Sequence, residues 1–457
     1  MTNYNQLVSD QKIFFNTNKT KDLEFRKSQL RKLLFLLRSS EKDLNEAIYL
    51  DFRKSSFENY ATELSIIFHE IDLAIKHLDQ WAKRIRVSTD LANFPSKSYI
   101  IPEPLGNILV IGAWNYPFQL SILPAVSAIA AGNTVIIKPS ELATETSKIM
   151  AKLINENFDA TILHVIEGSV RETTELLKLK FDKIFFTGSP AVGKVILKAA
   201  AEHLCPVTLE LGGKSPTFIL KSTKLKIAAK RIVWAKFLNG GQTCVAPDYL
   251  LVENSIKSQF IEMLKNEIKR IHSPEPIKSE ALARIINARH FERLIKLIDQ
   301  KKVIYGGDYN LQDLYIAPTI IDNVSFEDNV MQEEIFGPLL PIIEFEDLNW
   351  AIKQVKENPK PLALYIFGNN RKQINQIQEE ISFGGGAIND AIMHFTNTNL
   401  PFGGVGNSGM GSYHGKYGFD TFTHYKSILD KQTWFEPNIK YSPYTSFKKK
   451  LLQWLVG

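Results

Sequence analysis

Cysteine is scarce in this sequence, because the 457 residues contain only Cys205 and Cys244. Two cysteines exclude a disulfide framework or a cysteine metal cluster built within the chain. The nine histidines show no ligand-type spacing such as His-x-x-x-His, so we predict that the protein has no metal site. So few cysteines are compatible with a reducing compartment, and a cytoplasmic location is therefore expected.

Long apolar runs and a strong charge excess are also missing. No apolar stretch reaches the length of a transmembrane helix, and residues 1–20 lack the apolar core of a signal peptide. The net charge of +6, from 55 basic and 49 acidic residues, is small for this length. No basic stripe alternates with aromatic residues, which argues against a nucleic-acid partner. The composition is ordinary, 44% apolar and 23% charged, and the length suits two or three domains.

Five short apolar runs between residues 106 and 212 are typical of buried strands. Helical patterns follow the first, second and fourth of them, and this alternation predicts a parallel, doubly wound α/β sheet. The five runs are residues 107–111, 134–137, 162–166, 183–187 and 207–211. Before them, residues 20–85 have a helical period in which Ser40 and Asp43 predict a capping box.

A second α/β domain is predicted after Gly212 and Gly213, because the alternation resumes there with a different spacing. Its strand-like runs are residues 249–252, 339–345 and 363–367. Residues 86–105 lack a helical period and contain three prolines, which favours an extended arm or an edge hairpin. Residues 400–412 are rich in glycine and are expected to form a loop.

Two side chains are candidates for a nucleophile and its base. Cys244 follows a Gly-Gly pair, and a thiol beside such permissive backbone is more typical of a nucleophile than of a core side chain. Glu210 lies between two leucines at the end of a predicted strand, where a carboxylate is costly to bury unless it works or is paired. Burial would raise its pKa and make it a general base, whereas a helix cap or a salt bridge to Lys214 is the structural alternative. Cys205 is predicted to be a small buried side chain.

Asn115 follows the first predicted strand, at the carboxyl end where open α/β sheets bind ligands. Its amide can donate a hydrogen bond to an oxyanion. The alternative, and the commoner role for asparagine at such a position, is to cap a helix that begins near Pro117.

Three further segments have features of a nucleotide site, and each also has a structural explanation. Residues 188–193 join a predicted strand to a predicted helix, whose N-terminal amides attract phosphate, although the middle glycine of Gly-x-Gly-x-x-Gly is absent. A plain strand-to-helix turn explains them equally well. Lys138 and Glu141 follow the second strand and can bind a ribose or form a solvated turn. Glu333 and Glu334 can position a sugar or a ring, or simply carry surface charge.

Together these segments resemble the aldehyde dehydrogenase superfamily over about residues 60–425. Seven motifs occur in the family's order, which chance does not readily produce. They are Gly112-Ala113-Trp114-Asn115-Tyr116-Pro117, Lys138-Pro139-Ser140-Glu141, Phe186-Thr187-Gly188-Ser189, Leu209-Glu210-Leu211-Gly212-Gly213-Lys214, Gly241-Gln242-Thr243-Cys244, Glu334-Ile335-Phe336-Gly337-Pro338 and Pro401-Phe402-Gly403-Gly404. The short N-terminus and residues 243–249 look most like the class 3 group, which is similar to fatty and aromatic aldehyde oxidisers.

The resemblance implies oxidation of a small-molecule aldehyde to a carboxylic acid with NAD(P). Cys244 would attack the aldehyde carbon to form a thiohemiacetal, while the Asn115 amide and the Cys244 N–H hold the oxyanion. Loss of a hydride would leave a thioester, and Glu210 would activate the water that hydrolyses it. Family branches that pass the acyl group to coenzyme A generally lack this glutamate, so a free acid is the expected product.

NAD is the implied cofactor, with NADP as the alternative, because Glu141 would repel a 2′-phosphate whereas class 3 relatives often accept both. The positions implied to bind it are Trp114, Lys138, Glu141, Gly188, Ser189, Gly193, Glu334 and Phe336. The positions implied to line the substrate tunnel are Tyr116, Trp234, Leu238 and Phe402. Their size and apolarity favour medium- or long-chain aliphatic or aromatic aldehydes.

The resemblance also implies an α/β fold with a Rossmann-like dinucleotide-binding domain, a second α/β catalytic domain and a small bridging arm through which a homodimer forms. The expected segments are the NAD(P)-binding domain of residues 1–85 and 106–212, the catalytic domain of 213–395, the arm of 86–105 and 420–440, the substrate-tunnel loop of 396–419 and the C-terminal tail of 441–457. The tail is too short to span a bilayer and is expected to pack on the protein. Two other functions remain open, a thiol hydrolase or acyltransferase without a redox step and a non-catalytic scaffold.

Overall fold

The computed structural model describes residues 4–456, which form sixteen helices and eighteen strands. The helices are α1 (Tyr4–Asn16), α2 (Leu23–Ser39), α3 (Glu41–Phe52), α4 (Ser56–Asn59), α5 (Ser65–Trp81), α6 (Pro117–Ala131), α7 (Thr144–Asn155), α8 (Val170–Leu177), α9 (Pro190–Ala201), α10 (Leu225–Phe237), α11 (Lys257–His272), α12 (Ala288–Ile295), α13 (Leu348–Glu357), α14 (Arg371–Glu380), α15 (Gly415–Thr421) and α16 (Ser446–Val456). The strands are β1 (Ile85–Val87), β2 (Ser96–Pro104), β3 (Asn107–Ile111), β4 (Thr134–Lys138), β5 (Leu163–Val165), β6 (Lys183–Gly188), β7 (Val207–Leu211), β8 (Pro216–Ile219), β9 (Tyr249–Glu253), β10 (Val303–Tyr305), β11 (Tyr309–Asn310), β12 (Tyr315–Ile316), β13 (Thr319–Ile321), β14 (Leu339–Phe345), β15 (Ala363–Phe367), β16 (Gly385–Ile388), β17 (Gly409–Met410) and β18 (Thr423–Lys431).

The first large sheet confirms the predicted parallel α/β architecture. Its strand order is β17-β7-β6-β3-β4-β5, and every pair is parallel except β17 with β7. All five predicted strands are present. Strands β3 and β4 are buried at every residue, because helices cover both faces of a sheet of this kind.

Strand β3 lies at the point where the strand order reverses, since β4 pairs with it on one side and β6 on the other. In open α/β sheets a ligand binds in the crevice beyond the carboxyl ends of the strands at this reversal. Helix α6 follows β3 and is buried along its whole length. It begins with Pro117, which suits the first turn, and it ends at Gly132 with a φ of 95°, where glycine avoids steric strain.

The second large sheet has the order β10-β13-β14-β9-β8-β15-β16. The three predicted strands of this region are β9, β14 and β15, and they pair in parallel with their large-sheet neighbours. The other four strands, β8, β10, β13 and β16, were not predicted, because each has only three or four residues and therefore carries little periodic signal.

A three-stranded antiparallel sheet of order β1-β2-β18 forms the arm. The hairpin expected within residues 86–105 is β1 paired with β2, and β18 pairs with β2 from Thr423 opposite Pro104 to Lys431 opposite Ser96. Within residues 4–456, no helix is both long and apolar enough to cross a membrane.

One local prediction was wrong, and another missed a two-residue strand. Ser40 occupies the N-cap position of α3, but its side chain accepts no capping hydrogen bond. Its backbone N–H still bonds to Leu36 of α2, and this near-helical conformation does not present the hydroxyl to the first turn of α3. The expected loop of residues 400–412 contains β17, which adds a strand to the first sheet beside β7.

Candidate active site

Segments from both large sheets meet at the crevice beyond β3. Residues 112–116 leave the carboxyl end of β3, Glu210 lies in β7, and residues 238–248 connect α10 to β9. A hydrogen bond joins the first of these segments to the last, and the charge of Glu210 acts on the Cys244 thiol. The crevice therefore brings together the three residues that the sequence predicted to be catalytic.

The backbone before Cys244 follows a path that requires glycine. Gly240 and Gly241 have φ values of 61° and 76°, in the left-handed region. A Cβ atom on Gly241 would lie 2.3 Å from the carbonyl oxygen of Gly337, so the two chains approach too closely for any side chain. Cys244 itself remains partly exposed, whereas Cys205 is buried as predicted.

Burial and two nearby carboxylates raise the pKa of the Cys244 thiol to about 12. The carboxylates are Glu334 and Glu210, whose negative charges disfavour the thiolate. The backbone N–H groups of Cys244 and Val245 act in the opposite direction by donating hydrogen bonds to the sulfur. The thiol of the free protein is thus neutral at pH 7 and needs a base before it can attack.

Glu210 is the titratable side chain predicted to act beside Cys244. Its side chain is buried, and within residues 4–456 neither carboxylate oxygen has a hydrogen-bond partner. Burial raises its pKa well above the usual range. The alternative prediction, a salt bridge between Glu210 and Lys214, is wrong, because Lys214 pairs with Asp248 at 2.6 Å. A buried carboxyl without a partner is costly, and such groups cluster at functional sites.

Asn115 does not cap α6. The N-cap position belongs to Tyr116, whose own side chain makes no capping hydrogen bond. The Asn115 amide instead donates to the carbonyl oxygen of Gln242 at 3.1 Å, two residues before Cys244. An amide nitrogen carries two hydrogens, so one donor remains for a ligand atom beside the thiol.

Trp114 and Phe336 lie in contact on another side of the crevice, with ring centroids 5.3 Å apart. Phe52 and His290 also pack against the Trp114 ring. Glu334 is partly exposed, and the loss of solvation around its carboxyl, together with the charge of Asp248, raises its pKa to about 8, although the hydrogen bond from the Gly213 N–H opposes the shift.

The carboxylate of Glu334 lies against Gly212, where a Cβ atom would come within 2.0 Å of Oε2. A side chain at position 212 would therefore displace this carboxylate. Lys138 is almost fully buried at the end of β4, and its Nζ donates to the Pro139 carbonyl at 2.7 Å. Glu141 is partly exposed, with its carboxylate 3.8 Å from that Nζ.

Residues 188–193 form the turn from β6 into α9. Ser189 is the N-cap residue, and its hydroxyl accepts from the Val192 N–H at 3.4 Å. A Cβ atom on Gly193 would lie 2.8 Å from Leu211, so this glycine lets α9 pack closely on β7. A Cβ atom on Gly188 would come within 2.5 Å of the Phe186 ring. The buried hydroxyl of Thr187, immediately before the turn, has no partner among the described residues.

These groups fit an NAD(P) molecule. The N-terminus of α9 offers amides for phosphate, Lys138 and Glu141 offer polar groups for a ribose, and Glu334 offers a carboxylate for a second ribose. Trp114 and Phe336 add apolar surface for a ring. Except for Glu334 and Phe336, the cofactor residues expected from the sequence lie at or just beyond the carboxyl ends of β3, β4 and β6.

The four expected tunnel residues occupy different surroundings. Tyr116 is buried, and its hydroxyl lies 2.6 Å from the Thr243 hydroxyl, next to Cys244. Phe402 is buried against other aromatic rings. Trp234 is 40% exposed on α10, and Leu238 lies partly buried just beyond the end of that helix.

Sequence reasoning missed the aromatic residues around Phe402. His414 stacks on its ring at 5.2 Å, and Phe395 and Tyr413 make edge contacts at 5.1 and 5.9 Å. Burial and the charges of Glu210 and Cys244 raise the pKa of Tyr413 well above its usual range. The only available signal was two adjacent aromatic residues after a glycine-rich segment, which is too common to identify a site.

The fold and the crevice define a class of protein. It has a doubly wound α/β sheet, a cysteine thiol beside an unpartnered buried carboxyl, and a set of groups that fits a dinucleotide. The chain matches the aldehyde dehydrogenase family over residues 3–428, and it belongs to this family. The predicted family and fold are confirmed, and the protein is of a kind that oxidises aldehydes with NAD(P).

Several known proteins are similar along nearly the whole chain. The sequence is 48% identical over 441 residues to the 4,4'-diaponeurosporen-aldehyde dehydrogenase of Staphylococcus aureus, with 96% of both chains covered. It is also 48% identical over 429 residues to the dimeric NADP-preferring aldehyde dehydrogenase of Mus musculus, covering 94% of this chain and 95% of the other. The solved structure of substrate-bound Staphylococcus aureus AldH superimposes with a TM-score of 0.97 at 47% identity, covering 99% of this chain and all of the other.

Proposed function

We propose that the protein oxidises medium- or long-chain aliphatic or aromatic aldehydes to carboxylic acids, with Cys244 as the nucleophile. The observation that carries the proposal is the position of Cys244 beside Glu210, a buried carboxyl without a partner in the described chain. Asn115, tied to Gln242 on the same loop, supplies an N–H donor for the oxyanion.

The reaction begins when Glu210 takes the proton of the Cys244 thiol and the sulfur attacks the aldehyde carbon. The carbonyl oxygen becomes an oxyanion, which the Asn115 amide and the Cys244 N–H stabilise in the thiohemiacetal. The nicotinamide, when bound, supplies the acceptor for the hydride that leaves this carbon. Cys244 then carries the acyl group as a thioester, and Glu210 releases the proton that it took from the thiol to the solvent. The ionised Glu210 next removes a proton from a water whose oxygen attacks the thioester carbon, and it returns this proton to the Cys244 sulfur as the carbon–sulfur bond breaks and the acid leaves.

The cofactor is held, in this proposal, by Trp114, Lys138, Glu141, Gly188, Ser189, Gly193, Glu334 and Phe336. NAD is the preferred form, because the Glu141 carboxylate lies beside Lys138 and would repel a 2′-phosphate. NADP remains the alternative, since the Mus musculus relative is named NADP-preferring. Comparing KM for the two cofactors decides between them.

The substrate preference depends on the aromatic surroundings of Phe402 and on Tyr116, which together offer large apolar surface near Cys244. Each methylene buried on such surface contributes about 0.8 kcal/mol, so kcat/KM should rise with chain length. The Staphylococcus aureus relative is named for 4,4'-diaponeurosporen-aldehyde, and this aldehyde belongs in the substrate panel.

The test measures NADH or NADPH fluorescence after mixing the protein with each cofactor and with aldehydes of rising chain length. We expect reduced cofactor in a Cys244-dependent reaction, with Cys205→Ala as the matched cysteine control that keeps full activity. A Cys244→Ala variant that still reduced the cofactor would refute the mechanism.

The two alternatives make different predictions in the same assay. A thiol hydrolase or acyltransferase would turn over acyl esters without ever reducing the cofactor, and a scaffold would do neither. The fit of the crevice to a dinucleotide favours the dehydrogenase over both.

We also propose a homodimer formed through the arm of strands β1, β2 and β18. On the side away from β2, β18 has no strand partner within residues 4–456. A free strand edge is a template for pairing with another chain. The Mus musculus relative is named a dimeric enzyme, which supports the same proposal.

A further inference from the structure

A fully buried ion pair lies behind the oxyanion side of the crevice. Lys54, in the connection between α3 and α4, contacts Glu63 with Nζ 2.8 Å from Oε1, and neither side chain has any exposed surface. Removing two charges from water costs several kcal/mol per ion, so such a pair is weak evidence of a stabilising role. Its other contacts point to a different purpose.

The second oxygen of Glu63 is bound to the start of α6. It accepts the backbone N–H groups of Phe118 at 2.9 Å and of Gln119 at 3.2 Å. The first amides of a helix have no partners within the helix, and a carboxylate there satisfies them and favours the helix dipole. Glu63 thus holds the chain immediately after Asn115 and Tyr116.

The backbone carbonyl of Asn115 accepts from two side chains. Asn239 donates its side-chain amide at 2.7 Å, and Lys54 Nζ lies 3.5 Å from the same oxygen. Lys54 also lies over the Tyr116 ring, 4.4 Å from its centroid. Asn239 is itself fixed by a hydrogen bond from its N–H to the buried carboxylate of Glu58 at 2.7 Å.

We infer that Lys54, Glu63 and Asn239 are positioning residues that aim the Asn115 amide at the oxyanion. The inference depends on the function proposed above. None of the three touches the reacting atoms. They hold the Asn115 carbonyl and the following turn, and this fixes the peptide from which the donor side chain projects. An oxyanion donor stabilises a transition state only when it is already in place, and a displacement of about 1 Å can cost about 100-fold in rate.

Two variants remove the contacts without separating the two charges of the ion pair. Asn239→Gly deletes the amide donor and keeps the backbone, because Asn239 has a φ of 53° that glycine adopts freely. The double variant Lys54→Met with Glu63→Gln removes both charges, and the glutamine oxygen can still accept from α6. Lys27→Met is the matched control. Lys27 is also a mostly buried lysine in an ion pair, but it lies on α2 and pairs with Asp79 on α5.

The measurement is the pre-steady-state burst of NADH with a medium-chain aldehyde. We expect the burst rate constant to fall about 10- to 100-fold in both variants, with an unchanged KM for NAD and with Lys27→Met equal to wild type. Cofactor-free hydrolysis of an activated ester should fall by a similar factor, because thiolate attack on an ester forms an oxyanion at the same donors.

A merely structural role predicts a different pattern. Partial unfolding would lower the burst amplitude while leaving its rate constant unchanged, and that result in both variants would overturn the inference. If the double variant does not fold, Asn239→Gly decides alone. A wild-type protein that produces no NADH would refute the proposed function itself, so the two failures are distinguishable.

Discussion

At the residue scale, the pKa of the nucleophile makes a direct prediction. Burial raises the pKa of Cys244 to about 12, so in the free protein the thiolate fraction grows about tenfold for each pH unit below that value. The rate of Cys244 alkylation by iodoacetamide should therefore keep rising between pH 7 and pH 10. Peptide mapping reports this site separately from Cys205, and a plateau already reached at pH 7 would show a preformed thiolate.

The residues predicted from sequence were those whose chemistry is unusual for their local surroundings. A glutamate between two leucines and a thiol after two glycines both violate the ordinary pattern, and the structure places them together. Lys54 and Glu63 could not be predicted in this way, because charged residues in helical segments are normally exposed. Only the fold shows that their side chains are buried against Asn115.

At the scale of elements, the segment after β7 places one glycine against Glu334. A Cβ atom on Gly212 would lie 2.0 Å from Oε2 of Glu334, so Gly212→Ala must displace the carboxylate. We expect the KM for NAD to rise at least about tenfold, because the Glu334 carboxylate would no longer be positioned to bind the cofactor. Cofactor-free ester hydrolysis at Cys244 should change little. Glu334→Gln provides the comparison, and an unchanged KM in Gly212→Ala would contradict the assignment.

The contact between α5 and the start of α15 makes stability depend on pH. Glu70 is buried on α5 and accepts the Gly415 N–H at 2.5 Å, and burial raises its pKa to about 7. The folded state thus binds this proton more tightly than the unfolded state. The resulting stabilisation is complete below about pH 4.5 and is lost as the pH rises through about 7.

Glu70→Gln cannot ionise but keeps an oxygen for Gly415. The difference in thermal midpoint between Glu70→Gln and the wild type should therefore shift in favour of the variant from pH 5 to pH 8. This shift corresponds to about 2 kcal/mol of unfolding free energy. Differential scanning calorimetry at the two pH values measures this difference. A difference that does not change with pH would show that Glu70 has an ordinary pKa.

Element prediction succeeded where strands are buried on both faces and failed where elements are short. Strands β3 and β7 have the bounds expected from their apolar runs, because a continuous apolar run suits a strand covered by helices. The short strand β17 could not be predicted, since two residues have no period and its pairing with β7 depends on the whole fold.

At the scale of the whole molecule, the arm sheet predicts the oligomeric state. Light scattering should give a mass about twice that of the 51.9 kDa chain, because the free edge of β18 is available for a second copy. A monodisperse species of one chain mass at working concentration would remove the proposed dimer.

The parallel arrangement of the strands could be partly predicted from the sequence, whereas the contacts between the two α/β regions could not. Alternating strands and helices predict a parallel sheet and a crevice at the end of β3. The position of Cys244 in that crevice arises from long-range bonds such as Asn115 to Gln242, which join segments 127 residues apart. No local pattern contains such a contact.

The central claim is that Cys244 carries the acyl group until water activated by Glu210 releases it. Glu210→Gln, mixed with NAD and a medium-chain aldehyde, tests this claim most directly by stopped flow and intact mass spectrometry. The account predicts a single equivalent of NADH per active site, formed more slowly than in the wild type because the thiol has lost its base, and a mass increase of one acyl group that persists on the peptide that contains Cys244. Steady turnover at the wild-type rate, with no acyl group on Cys244, would contradict it.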